Sequence, residues 1–532
     1  MKALFTTALL LGSSLVWTVS AGSRFSDRVM ERYARPEKFA SKPVHRSLEE
    51  RQASFKFLNN KTQPYLVESL PDVPFDIGEM YSGNIPIDYS NTSRTLFFAF
   101  YPKLGDTVDS VTIWLNGGPG CSSLEGFFQE NGPFVWQPGT LAPVQNPYSW
   151  VNLTNMIWVE QPVGTGFATG TPTATSQEDI AADFVKFLKN FQDLFGIKNF
   201  KIYVTGESYA GRYVPYISAA MLDQNDTTYY DLSGALVYDP CIGEFVSIQE
   251  EYVAVPYVQA NNNILNLNES FLAELENLHQ TCGYADYLEK YYTFPPSSVQ
   301  PPLFFNYTSA GDCDVFDLIN NALLAVNPCF DIYEIVEQCP LLSDVLGFPT
   351  ELVANQYNTT YFNRTDVKMA MHAPLDVNWA ECANGVFVGE GGPQDEGDLS
   401  LDPIQHVLPQ VIEATNRVLV SNGDYDMIII TNGTLLAIQN MTWNGQLGFQ
   451  QAPSTPINIT TPDLVYASVF NDADNGEYYA GLDGPQGIMG VQHFERGLMW
   501  AETFQSGHMQ PEFQPRVAYR HIQWLLGQTE TI

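Results

Sequence analysis

The sequence is short of positive charge. Against 60 Asp and Glu it sets 25 Lys and Arg, a formal net charge of −35 at pH 7. Such a surface repels phosphate backbones, which excludes a nucleic-acid partner. It implies either plain solvation by carboxylates or adaptation to acid. No Cys-x-x-Cys pair and no His-Glu-x-x-His stretch occurs, so a zinc site is not expected, nor any other metal or cofactor. Internal repeats and low-complexity tracts are lacking. Long apolar runs are missing apart from Ala3 to Val19, which follows Met1-Lys2 and ends in Val19-Ser20-Ala21. That run is short for a membrane span. Residues 1–21 therefore read as a signal peptide, with no membrane partner once it is cleaved. The final Gly527-Gln-Thr-Glu-Thr-Ile is too polar for a lipid-anchor signal.

What is present agrees with secretion. Asn-x-Ser/Thr sequons stand at Asn60, Asn91, Asn152, Asn225, Asn268, Asn306, Asn358, Asn363, Asn432, Asn440 and Asn458, candidates for glycosylation. The seven cysteines read as disulfides with one left over. Residues 22–54 run against the acidic trend: Arg24, Arg28, Arg32, Arg35, Lys38, Lys42, Arg46 and Arg51 crowd there. They read as a basic arm or a pro-segment docking on an acidic body. The expected location is extracellular, with a vacuolar or lysosome-like compartment as the alternative.

The stretch that organises the chain is 204–215. Phe200–Thr205 reads as a buried strand, and Tyr213 onward has helical spacing. Between them lies Gly206-Glu207-Ser208-Tyr209-Ala210-Gly211. This resembles the Gly-x-Ser-x-Gly elbow of α/β-hydrolases, a tight strand-to-helix turn that lifts a serine hydroxyl clear of the sheet's end. Upstream, Met80–Ile85, Thr95–Tyr101, Asp109–Leu115 and Asn155–Glu160 read as strands. Ser176 with Asp179 caps a helix whose apolar face is Ile180, Phe184, Phe187, Phe191 and Leu194. Gly234–Tyr238 is a further strand. This alternation predicts an α/β fold: a mostly parallel central sheet flanked by helices. The alternation lapses over 245–350, where Cys282, Cys313, Cys329 and Cys339 concentrate, so an inserted, disulfide-stapled lid subdomain is expected there. It divides the core into 55–244 and 351–532. Arg364–Ala373 reads as a helix, Arg417–Ser421 as a strand, Ile488–Thr503 as a hairpin and Pro511–Leu526 as a closing helix.

A serine needs a base, and the base an orienting acid. Among the histidines after Ser208, the contexts of His279, His372, His406, His493 and His521 favour core or surface roles. His508 alone stands in a Gly-preceded loop after a late strand. Asp424 and Asp426 both qualify as the acid. The loop Asn116-Gly-Gly-Pro-Gly-Cys-Ser-Ser is bare enough of side chains to bring backbone N–H groups against a ligand.

Four motifs in this order then carry a family resemblance: Trp114-Leu-Asn-Gly-Gly-Pro-Gly-Cys-Ser-Ser, Gly206-Glu-Ser-Tyr-Ala-Gly-Arg-Tyr-Val-Pro, Gly423-Asp-Tyr-Asp and Gly507-His-Met-x-Pro. Over about residues 60–527 the chain resembles the serine carboxypeptidases, including the carboxypeptidase Y-like enzymes. The resemblance implies release of C-terminal residues from peptides and proteins at acid pH through an acyl-enzyme. It implies Ser208 as nucleophile, His508 as base and Asp426, not Asp424, as acid. It places the oxyanion hole at the N–H groups of Gly118 and Tyr209. The substrate's terminal carboxylate would fall to Asn116, Glu207 and Glu130, supported by Trp114 and Gly117. Two close carboxyls share protons, and a protonated one donates a hydrogen bond to an anion. Glu125 and Met509 would line the pocket for the last side chain. The resemblance implies the disulfide Cys121–Cys382; within the insertion the expected pairing is Cys282–Cys339 enclosing Cys313–Cys329, with Cys241 left as a thiol. Where carboxypeptidase Y-like members carry a cysteine three residues after the acid, this chain has Ile429, so their thiol-reagent sensitivity is not implied. A monomer or homodimer is expected. The competing readings are an acyltransferase or esterase using the same triad, and a non-catalytic binding or protective protein.

Overall fold

The computed structural model describes residues 54–302, 313–347, 360–389, 397–459 and 487–532. The signal peptide, all of the basic arm but its last residue, Asn306 and Asn358 lie outside the described residues. Everything described belongs to one compact unit, Ser47–Ile532.

Ten strands form the main sheet among the described residues: β1 (Tyr81–Asp88), β2 (Asn91–Tyr101), β3 (Ser110–Leu115), β4 (Asn155–Glu160), β5 (Lys201–Glu207), β6 (Asp231–Tyr238), β7 (Val418–Gly423), β8 (Thr455–Ile459), β9 (Gly487–Glu495) and β10 (Leu498–Thr503). Their spatial order is β1-β2-β4-β3-β5-β6-β7-β10-β9-β8. The six strands from β4 to β10 pair in parallel, and antiparallel pairs close both edges. The central strands are buried on both faces, as parallel strands between helical layers must be; β5 is buried at every position after Lys201.

Helix α1 (Gln177–Phe195) starts where the Ser176 hydroxyl accepts the Asp179 N–H, and stops at Gly196 in the left-handed conformation. Its buried stripe includes Ile180, Phe184, Phe187 and Phe191; Leu194 is only partly covered. Phe191 and Phe195 meet Phe98 and Phe100 of β2, with Phe100 and Phe195 centroids 4.9 Å apart. Each such edge contact adds about 0.5–1.5 kcal/mol to the burial itself. Helix α2 (Ala210–Asp223) leaves the end of β5 directly. At Gly206 a Cβ would lie 2.3 Å from the Leu115 carbonyl oxygen, so only glycine lets β5 and β3 close together just before the elbow.

Between β6 and β7 the chain makes a helical excursion: α3 (Tyr252–Leu265), α4 (Glu269–Thr281), α5 (Tyr284–Tyr291) and α6 (Val315–Val326). These helices share an apolar cluster, with Val255, Leu275, Ile319 and Leu323, that also takes in Met427 and Ile430 from the loop after β7. The excursion is therefore packed on the segment carrying the acid. Glu251 accepts the N–H groups of Val315 and Phe316 and so caps α6.

The disulfides differ from the nested pairing expected for the insertion. Cys121–Cys382 is present, but Cys282 joins Cys313 and Cys329 joins Cys339. The cause is local. Cys282 ends α4 and Cys313 stands just before α6, and these two packed helices bring their Cα atoms to 5.7 Å. Cys329 and Cys339 close a short loop of their own. Cys241 remains a buried thiol.

Candidate active site

The C-terminal ends of five neighbouring strands converge, the place where open parallel sheets gather ligands. Register pairs Leu115 with Gly206, Glu207 with Tyr238, Tyr238 with Ser421, and Gly423 with Thr503. The residues that follow are Asn116 after β3, Ser208 after β5, Asp239 after β6, the 424–426 turn after β7, and the 506–508 loop after β10.

Ser208 has φ of +60°, the strained left-handed backbone of a nucleophile elbow. Its N–H donates to the Tyr238 carbonyl, and its own carbonyl accepts from Gly211 and Cys241. His508 Nδ1 lies 2.8 Å from Asp426 Oδ2, both side chains buried. Asp426 Oδ1 accepts the Ile428 N–H at 2.9 Å. Asp424 turns the other way and accepts from Ser506 N–H, shaping the loop before the histidine. The geometry thus separates two aspartates that residue logic left equal. His508 Nε2 is buried and has no hydrogen-bond partner; no hydrogen bond joins it to Ser208 Oγ, but both residues line one cavity of about 620 Å³. Catalytic contacts of this kind are often long before substrate binds. Burial lowers the His508 pKa, partly offset by Asp239 and Asp331, which favours the neutral base.

The other histidines are elsewhere. His493 pairs with Glu495 on β9, His521 is buried near the Tyr238 hydroxyl, and His279 sits on α4.

The glycine loop presses on the elbow. A Cβ at Gly117 would stand 2.5 Å from Tyr209 N and 2.7 Å from Ser208 Cβ. No side chain intervenes between the loop and Ser208. Tyr209 is held by its hydroxyl, which donates to Asp398 Oδ2 at 2.6 Å; Gln177 donates to the same oxygen. Cys121–Cys382 and the Ser122 N–H to Glu381 carbonyl bond fix the far end of the loop.

Beside the serine, Asn116 is oriented by two donors to its Oδ1: Trp114 Nε1 at 2.7 Å and Gly126 N at 3.3 Å. Its Nδ2 must then face the carboxyls. It reaches Glu207 at 2.8 Å, Glu130 at 3.3 Å and Glu125 at 3.4 Å. Burial, then Glu207, pushes the Glu130 pKa well up; burial, then Glu125, does the same for Glu207. Oε2 of each is buried without a partner. Glu125, Gly117, Gly118 and Met509 line the same cavity, and Trp114 stays wholly buried behind Asn116.

The profile of the serine carboxypeptidases matches residues 71–528. The chain belongs to the serine carboxypeptidase family. A serine-type carboxypeptidase F of Aspergillus niger is 62% identical over 536 residues, covering 100% of this chain and 99% of that protein. A carboxypeptidase Y homolog of Arthroderma benhamiae is 39% identical over 480 residues, 90% of this chain and 89% of that one. The crystal structure of a prohormone-processing carboxypeptidase from Saccharomyces cerevisiae superposes with a TM-score of 0.64 at 24% identity, covering 88% of this chain and 96% of that one; that likeness concerns the fold. The protein is thus a serine-type carboxypeptidase, a hydrolase acting on peptides, with an α/β fold built on a mostly parallel sheet. No helix among the described residues is long and apolar enough to cross a membrane.

This serine carboxypeptidase also brings to its cavity residues the sequence did not announce. Tyr333, from the Cys329–Cys339 loop, faces His508 with ring centroids 5.2 Å apart, and its carbonyl accepts the His508 N–H. Asp331, Glu337, Asp344, Glu381 and Glu512 line the wall. Behind the wall, Asp239 is wholly buried directly after β6.

Proposed function

We propose that the cavity removes single residues from peptide C-termini in acid, through an acyl-enzyme on Ser208. His508 Nε2 takes the Ser208 proton as Oγ attacks the last peptide carbonyl. Asp426 holds the ring and balances the imidazolium. The N–H groups of Gly118 and Tyr209 receive the oxyanion. His508 then protonates the departing amine, and the terminal amino acid leaves. Water, deprotonated by His508, hydrolyses the ester and frees Ser208. The substrate's carboxylate sits against Asn116, with a proton shared by Glu130 and Glu207 supplying a second donor; Trp114 and Gly117 keep that notch in shape. Glu125 and Met509 border the pocket of the leaving side chain, and the described part of the 245–350 excursion covers the cleft as a lid. The observation that carries the reading is the pairing of His508 with Asp426 on the cavity that also holds Ser208 and the buried, partnerless glutamate oxygens. Three disulfides support passage through an oxidising, secretory compartment, with the medium as destination.

The test is twofold. A fluorophosphonate must label Ser208 in the wild type and not in Ser208→Ala. N-blocked dipeptides must be cleaved with a free C-terminus and resist when it is amidated. An unlabelled Ser208 refutes the nucleophile; equal cleavage of amide and acid refutes the exopeptidase notch and favours an esterase-like relative.

A further inference from the structure

Asp239 is a buried acid that the reaction above does not use. It follows β6 directly, with φ of +42°, between the elbow and the acid-bearing turn. Its side chain is fully enclosed. Oδ1 accepts the Gly423 N–H at 2.7 Å, and Oδ2 accepts Gln510 Nε2 at 2.7 Å. The Gln510 amide faces this way because its Oε1 takes two hydroxyl donors, Ser421 at 2.8 Å and Thr503 at 2.9 Å. The carboxyls of Asp239 and Asp426 are neighbours, and both are wholly buried. A carboxylate oxygen of each, with a ring nitrogen of His508, all lie within 4.8 Å of one another.

Two buried carboxyls within 4.8 Å of each other cannot both be ionised cheaply, so one proton stays with the pair. The titratable groups that face it are His508, Asp331, Glu207, Tyr238, Tyr257 and Tyr333, none of them a fixed cation. Each carboxyl accepts two donors, but one of Asp426's is the His508 ring, which turns cationic in the reaction and suits an ionised partner, whereas Asp239's are the neutral Gly423 N–H and Gln510 amide. Asp239 is the better seat for the proton. Burial and then Asp426 drive its pKa well above the usual carboxylate range, against His508, Gly423 and Gln510.

We propose that Asp239 is a positioning residue of the triad: it remains a carboxylic acid and donates its O–H to Asp426. That bond holds the Asp426 carboxylate on His508 Nδ1. It also keeps the cluster at one negative charge. With two charges, His508 would take up a proton at rest and could not act as base in acid. Asp239 reaches no substrate atom; it works through Asp426. The inference rests on the triad assigned above.

The test measures kcat and KM against pH, per fluorophosphonate-labelled site, for Asp239→Asn, Asp239→Thr and Asp239→Ala. Asn and Thr are neutral donors; Ala is neither donor nor acid. The acid limb of kcat/KM for Asn and Thr is expected to coincide with the wild type. Ala is expected to lose about tenfold or more in kcat at unchanged KM. Were Asp239 ionised in the wild type, removing its charge this close to His508 would move that limb down by more than about one pH unit. Such a movement in either neutral donor variant, or full kcat in the Ala variant, overturns the proposal. Two donor variants are used so that poor folding of one leaves the other to decide. A wild type that takes no label refutes the triad itself, a separate failure.

Discussion

The carboxylate notch offers the sharpest test. Substituting both Glu130→Gln and Glu207→Gln replaces a titrating donor with permanent ones. In the wild type the pair holds its proton in acid, because burial raises both groups, reinforced by Glu207 at Glu130 and by Glu125 at Glu207. The sign follows: binding is strong at low pH and weakens as pH rises through the raised pKa of the pair. On the proposed reading, the substrate's carboxylate gains a charge-assisted hydrogen bond from that proton at low pH, beside the Asn116 donor. Such a bond contributes about 1.5–3 kcal/mol, or about 10–100-fold in affinity. Wild-type KM for an N-blocked dipeptide should therefore rise by about 10–100-fold between about pH 5 and pH 8, with kcat nearly level. The double variant should show a KM that stays flat across that range. The assay is steady-state release of the terminal residue at a series of pH values. A wild-type KM that ignores pH would refute the shared proton. So would a double variant that keeps the full pH dependence.

Three further outcomes follow from the same coordinates. Burial raises the carboxyls of Glu160 and Asp424 to about 7 and those of Glu251 and Glu334 to about 8, so the folded state holds more protons than the unfolded one between about 4.5 and 8; thermal unfolding should show Tm falling as pH climbs through that window. Replacing Cys329 and Cys339 by Ser frees the loop whose Tyr333 carbonyl holds the His508 N–H. Active-site titration with kinetics should show a several-fold lower kcat, and calorimetry a stability loss of at most about 3 kcal/mol. Glu125→Thr should reduce release of terminal Arg relative to terminal Leu; an unchanged ratio in a dipeptide panel removes Glu125 from the side-chain pocket.

Much of the fold was legible because its signals are local. The elbow is written in adjacent residues, and β5 and α2 follow from periodicities on either side of it. The Ser176 cap and the aromatic stripe of α1 are likewise short-range. Other features depend on partners far along the chain. Nothing near Cys282 reveals that α4 and α6 pack together, so its partnership with Cys313 could not be read. The strand Thr455–Ile459 was missed, since it exists by pairing with β9. Asp424 and Asp426 differ only in which way a turn points them. Tyr333 reaches His508 because the excursion folds onto the loop after β7, a contact between segments with no shared pattern. Trp114 was expected at the notch, and the structure gives its part a definite form: its indole fixes which way the Asn116 amide faces.

The Cys121–Cys382 bridge spans 261 positions, and Ser208 together with the whole helical excursion lies inside that span. A single backbone nick anywhere between the two cysteines would thus leave both fragments covalently tied at the glycine loop itself. The polymer could become two-chained without parting the nucleophile's half from the half that carries the imidazole. Proteolytic trimming inside that span need not mean dismantling.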